Sequence, residues 1–229
     1  RWLLFLDEAL LAGSHLVEHH VTCQQRNGHV AAVVGRIDYH PQLDARTTSK
    51  VGRLTQQTFQ PGQPLSFLDW RAQNLSLPRD AVLDLGGFSE DLPFEGLEDL
   101  ELGYRLERSV GIRGHYCDQA QAFLWKPEPL DREAGRCYAE GYWLHHLLET
   151  TESEQLRERY RGIVAAWRGA ADPVMLPLAH RLCPVLAYNS RTFNALRFRV
   201  LRSAFRRGYR DAHRGRPAAL SALHARDER

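Results

Sequence analysis

The hydrophobic periodicity of this chain changes character once, near residue 126, and that change limits the fold more than any other feature. Before it, short apolar runs of strand length alternate with helical stretches; after it, every apolar pattern has the helical period. Strands alternating with helices predict an α/β domain built on a sheet, and an unbroken series of helices predicts a helical extension. The length of 229 residues leaves room for one ordinary domain and a small second one. The boundary is expected at 150, with residues 1–150 forming the sheet domain and 151–229 a helical, Arg-rich extension.

Trp2-Leu-Leu-Phe-Leu6 is an apolar run closed by Asp7-Glu8. This is the pattern of a buried parallel strand that delivers carboxylates at its carboxyl end, where open α/β sheets bind their ligands. Ser14 is placed to cap a helix through Arg26 with Leu16, Val17, His20 and Val21 on one face, and Asn27-Gly28 stops it before a strand from His29 to Gly35. Residues 38–66 hold Pro41, Pro61, Gly62 and Pro64 and predict a long irregular excursion. Pro78 suits the first position of a short helix that ends at Gly86-Gly87. A helix is expected over 98–109, closed by Gly111, then two strands over 112–117 and 120–125. Helices are expected over 131–149, 152–168, 174–187 and 190–209.

Composition narrows the class. With 43% hydrophobic and 25% charged residues the chain has a globular balance, and no apolar run approaches the roughly 20 residues that span a bilayer. Cys23, Cys117, Cys137 and Cys183 are too widely spaced for a CxxC pair and too few for a disulfide scaffold, so a reduced, cytoplasmic setting is expected. His15, Glu18 and His19 share a helix face without the order of a zinc motif. Charge is lopsided: residues 191–229 hold eleven Arg against Asp211, Asp227 and Glu228.

Three ordered segments carry the chemistry: Asn74-Leu-Ser-Leu-Pro-Arg79, Gly86-Gly-Phe-Ser-Glu90 and Leu97-Glu-Asp-Leu-Glu-Leu-Gly-Tyr-Arg-Leu106. In order and spacing this block resembles the family 2 glycosyltransferases and the carboxyl-terminal domain of galactosyltransferases, and Phe5-Leu-Asp-Glu8 is similar to the strand that ends in their DxD motif. The resemblance covers about residues 2–145. It implies a GT-A fold, a mixed sheet flanked by helices that binds a nucleotide-diphosphate sugar across the strand ends. The first half of that fold is expected to precede residue 1. The implied reaction moves a sugar from the nucleotide donor to a hydroxyl of a glycan or lipid-linked acceptor, with inversion.

By this resemblance Asp99 is the general base, at a helix start where the dipole favours its ionised form. Glu98 orients a substrate hydroxyl or a loop amide, and Glu101 is the weaker candidate of the three acids, with plain solvent exposure as its alternative. Asp7, Glu8, Asn74, Gly86, Gly87, Phe88 and Lys126 surround donor and acceptor. The bland alternative is a first-turn acidic pair, a helix stop with a core aromatic, and a surface lysine. A divalent metal, manganese or magnesium, would rest on Asp7, yet Ala9 stands where the family carries a second carboxylate and no histidine occurs at 124–126. Such a site is weakened, because hard cations need several oxygen ligands. Lys126 offers replacement charge. Trp70, Trp125, Tyr142 and Trp143 include candidates for stacking on a sugar.

In the tail, Arg199, Arg202, Arg206 and Arg210 fall on one side of a helix whose other side carries Phe193, Leu196, Val200 and Ala204. This pattern fits either a helix lying on anionic lipid at the inner face of the cytoplasmic membrane or one packed on its own domain. Nucleic acid is not expected, since no aromatic and basic residues interleave on a strand. A non-catalytic module that binds a carbohydrate or a partner is the rival reading.

Overall fold

The computed structural model describes residues 1–40, 59–90, 97–125, 130–167 and 191–218. The chain divides into two compact units, one of residues 1–90 and 98–127, the other of 91–97 and 128–229.

The first unit is mixed α/β. Its strands are β1 (Trp2–Leu6), β2 (Leu10–Ala12), β3 (Ala31–Tyr39), β4 (Pro64–Leu65), β5 (Asn74–Pro78) and β6 (Arg113–Leu124), and its helices are α1 (Leu16–Arg26), α2 (Arg79–Asp84) and α3 (Glu98–Val110). The strand order is β1-β5-β3-β6-β2, with β4 also on β6. Only β3 and β6 pair in parallel; β5 is antiparallel to both of its neighbours. Consequently β1, β3 and β6 point the same way, although β1 is a half-buried strand at the end of the sheet order rather than a buried parallel one. Its five residues keep the predicted bounds.

The two predicted strands after residue 111 are one. Strand β6 runs through the expected break, and a bulge absorbs residues 118–120 between the pairs Gly35–Cys117 and Arg36–Gln121. At that bulge Gly35 makes room: a Cβ there would lie 2.3 Å from Asn74 Nδ2 and 2.5 Å from the Ala120 carbonyl oxygen.

Helix α1 begins at Leu16, with no side-chain cap at its start, so Ser14 does not cap it. Its buried face is Leu16, His20 and Gln24, while Val17 is exposed. Polar residues face inward because the sheet beneath presents Ser76 and Asn74. Asn74 Nδ2 donates to the Arg36 and Ala120 carbonyls at 3.1 and 2.9 Å. Its Oδ1 therefore accepts, and His20 Nε2 donates to it at 2.9 Å. His20 Nδ1 then accepts from the Ser76 hydroxyl, also at 2.9 Å, while Gln24 Nε2 donates to the Ala31 carbonyl. Burial holds His20 below its ordinary pKa, ahead of the opposing bond to Asn74. Such a network is stabilising only while every member keeps its partner.

The opposite face of the sheet carries Phe67, Trp70, Leu75 and Leu77, buried with Leu100, Leu102 and Leu106 of α3. Gly103 lets α3 approach closely, since a Cβ there would sit 3.1 Å from Phe67 and 3.2 Å from the Trp70 ring. Gly111, at φ +74°, ends α3, as the sequence predicts.

The second unit contains α4 (Leu130–Thr150), α5 (Glu154–Trp167) and α6 (Arg191–His213). Helix α4 belongs here, so the boundary lies near 127 rather than 150. The cause is its packing along α6. Glu133 meets Arg197, Gly141 meets Phe205 and His145 meets His213, so the two helices run in the same direction. The backbones touch at glycines: a Cβ on Gly141 would lie 2.0 Å from the Phe205 carbonyl oxygen, and one on Gly208 2.0 Å from that of Tyr138. Leu196 and Val200, the apolar side of the Arg-rich helix, are buried against Ala134. Residues 174–187, predicted helical, and Cys183 lie outside the described residues. No helix among the described residues is long and apolar enough to cross a membrane.

Candidate active site at the carboxyl ends of the strands

Because β1, β3 and β6 share one direction, their carboxyl ends open at the same end of the sheet, beside the amino end of β5. Strands β1 and β2 lie at opposite ends of the strand order. The residues that link them, Asp7, Glu8 and Ala9, therefore cross the ends of the strands between. Asp7 donates its N–H to the Gln73 carbonyl at 3.0 Å, and its Oδ1 accepts from the Ala9 N–H at 2.8 Å.

Asp99, in the first turn of α3, reaches the same place. Its Oδ2 accepts from the Ala72 N–H at 2.9 Å, one residue before the Gln73 that holds Asp7. Burial pushes the Asp99 carboxyl up to about 6; the Ala72 hydrogen bond opposes this, Glu98 adds to it, Arg71 opposes and Asp7 adds. The expectation that a helix start favours the ionised form is thus reversed, because loss of water outweighs a dipole worth about 0.3–1 kcal/mol. Asp99 thus holds the Ala72 loop amide, and the charge of Glu98 adds to the shift of Asp99. A carboxylate poised near neutrality has the proton affinity that a general base needs.

Gly86 and Gly87 both adopt left-handed backbone, at φ +80° and +74°. Phe88 follows and packs edge to face on Phe5 of β1, with centroids 5.4 Å apart. Two residues from the last motif secure this turn. Arg105 donates to the Leu85 and Gly87 carbonyls at 2.7 Å each, and Glu101 grips the same guanidinium through both oxygens at 2.6 and 2.7 Å. Glu101 therefore does not face solvent. The i,i+4 spacing of Glu101 and Arg105 was the available signal for this clamp.

Asn74 leaves the site. Only 1% of it is exposed and its amide is committed to Arg36, Ala120 and His20, so no ligand reaches it. Trp70 is fully buried core. Lys126 lies outside the described residues. His15 pairs with Glu18 on the surface at 3.0 Å, and His145 Nε2 bonds His213 Nδ1 at 3.1 Å inside the helical unit.

One oxygen of Asp7 and one of Asp99 are taken by backbone amides, Ala9 contributes none, and among the described residues no three His, Cys, Asp or Glu side chains are grouped to hold a metal.

Sequence reasoning missed two neighbours. Arg71 is exposed and close enough to lower the Asp99 pKa. His40 follows β3; its N–H donates to the Leu124 carbonyl at 3.0 Å and its ring meets Trp125 edge to face at 4.6 Å. No family model, no curated protein and no solved structure matches this chain.

Proposed function

We propose that the first unit is part of a glycosyltransferase of the GT-A type, which moves a sugar from a nucleotide-sugar donor to an acceptor hydroxyl with Asp99 as general base. The observation that carries this reading is the Asp99 carboxyl, held by the Ala72 N–H, raised to about 6 and set beside Asp7 at the carboxyl ends of parallel-running strands. The reading is also supported by the mixed sheet and by the turn that Arg105 and Glu101 fasten to α3, which links two of the three motif segments physically.

In the proposed step the acceptor oxygen attacks the anomeric carbon as its proton passes to Asp99. The nucleoside diphosphate departs from the opposite face with the electrons of the broken bond, so configuration inverts. Positive charge for the diphosphate is assigned to the exposed Arg71 guanidinium, whose planar fork suits phosphate oxygens, and to Lys126. The Glu101–Arg105 clamp shapes the turn ahead of Phe88. Peripheral contact with anionic lipid is assigned to the exposed Arg199 and Arg207 of α6, because Leu196 and Val200 are packed inside.

The test is release of nucleoside diphosphate from a panel of nucleotide sugars offered with mixed glycan acceptors. Asp99→Asn is expected to lower turnover about 100-fold to 10,000-fold, the range of a positioned base, with donor affinity retained. Asp80→Asn, on the exposed side of α2, is the control and leaves turnover unchanged. The rival, a binding module, draws on Ala9 and on the lack of a histidine at 124–126; saturable binding of donor or glycan without turnover in any variant would select it.

A further inference from the structure

One exposed apolar feature at the end of the sheet has no part in the step above. Trp125 directly follows β6 and is 45% exposed, unlike the wholly buried Trp70. It is also fixed in place. Its backbone N–H donates to the Ala9 carbonyl at 3.0 Å, which ties this part of the chain to the loop bearing Asp7 and Glu8. The His40 ring stands against it edge to face, and against Phe123 at 6.0 Å. Leu11, 43% exposed, pairs with Phe123 across β2 and β6 and extends the same surface.

A rigid indole with an open surface beside carboxylates suits a particular kind of ligand. The apolar face of a pyranose ring stacks on the indole while its hydroxyls donate to carboxylate oxygens, which are acceptors only. A nucleotide base would stack as well, and the titration with uridine monophosphate separates the two. Resting on the reading of this unit as a sugar transferase, we infer that Trp125, braced by His40, is the stacking platform for a pyranose ring of the acceptor glycan.

The experiment follows the five tryptophan indole N–H resonances of the full chain, with Trp125→Phe identifying the one that belongs to Trp125. Methyl β-galactoside, methyl β-glucoside, lactose, cellobiose and, separately, uridine monophosphate are titrated in. At least one sugar is expected to move the Trp125 resonance saturably. Trp125→Ala should weaken that sugar roughly tenfold, the scale of losing one stacking aromatic. Trp125→Phe should retain most of the affinity and His40→Ala should lose part of it, with the Trp70 resonance unmoved as the check on folding. The inference is overturned if no sugar shifts Trp125, if uridine monophosphate alone shifts it, or if Trp125→Ala binds the sugar as well as the parent. Sugar binding at Trp125 without transfer would sink the transferase reading and leave the platform standing. Transfer that survives Trp125→Ala with the same acceptor KM would do the reverse.

Discussion

Replacing Asp99 by Asn should alter stability in a way that depends on pH, and the size of the effect follows from the site. In the folded protein the carboxyl titrates at about 6, against an ordinary value of 3.8. Below 3.8 it is protonated whether the chain is folded or not. Between 3.8 and 6 the folded chain binds the extra proton, so stability falls as pH rises through that window; above 6 both states are ionised and the loss is complete. A shift of about two units corresponds to about 3 kcal/mol at 1.36 kcal/mol per unit, and residual contact with solvent reduces this to about 2. Asn cannot ionise, yet its oxygen still accepts the Ala72 N–H. The stability of Asp99→Asn minus that of the parent should therefore grow by about 2 kcal/mol between pH 3.5 and pH 7.5. Urea unfolding, followed by the indole resonance of Trp70 so that only the sheet unit is reported, gives this difference. A gap that stays constant across the pH range would show that the carboxyl is not buried in the way described.

Three further outcomes are expected. Asn74→Leu should destabilise the sheet unit by about 2–4 kcal/mol in urea, because it strands the Ala120 carbonyl and the His20 N–H in the core. Gly141→Ala should lower the melting temperature of the helical unit by several degrees, seen by circular dichroism, since the new Cβ would meet the Phe205 carbonyl at 2.0 Å. Arg105→Lys keeps the charge but loses the fork that holds Glu101 and two carbonyls; turnover should fall about tenfold or more in steady-state assays, a scale set by the misplacement of a positioned turn. Unchanged turnover would detach the Gly86–Phe88 turn from the site.

Elements that depend on local chemistry were legible in the sequence: β1 between charged neighbours, α3 with its acidic first turn and Gly111, and the glycine pair at 86 and 87. Asn74 was misplaced for a physical reason. A polar residue within an apolar strand looks the same in one dimension whether it meets a ligand or a partner from another element, and its partner, His20, lies 54 residues away. The inward face of α1 was misread likewise, since Val17 is the better hydrophobe but Gln24 has the acceptors. The single strand β6 was divided because Asp118 and Gln119 break the apolar pattern, and the bulge over residues 118–120 depends on Gly35 of another strand. Asp7 and Asp99, expected to lie within reach of each other, come close because both are anchored to the turn that enters β5. His40 and Arg71 carried no motif, and only the shared end of the sheet brings them into view.

The claim at the centre of this account is that Asp99 takes the acceptor's proton, and the pH dependence of transfer tests it most directly. With a donor and acceptor from the panel, the parent should gain activity through an apparent pKa near 6, in the direction of deprotonation. Asp7→Asn, which removes a neighbouring charge that raises Asp99, should move that limb to lower pH. Asp99→Asn should abolish the limb together with at least 99% of the rate, within the range expected for a lost base. A parent whose rate is flat from pH 5 to pH 8, or an Asp99→Asn variant that keeps both rate and limb, would contradict the assignment.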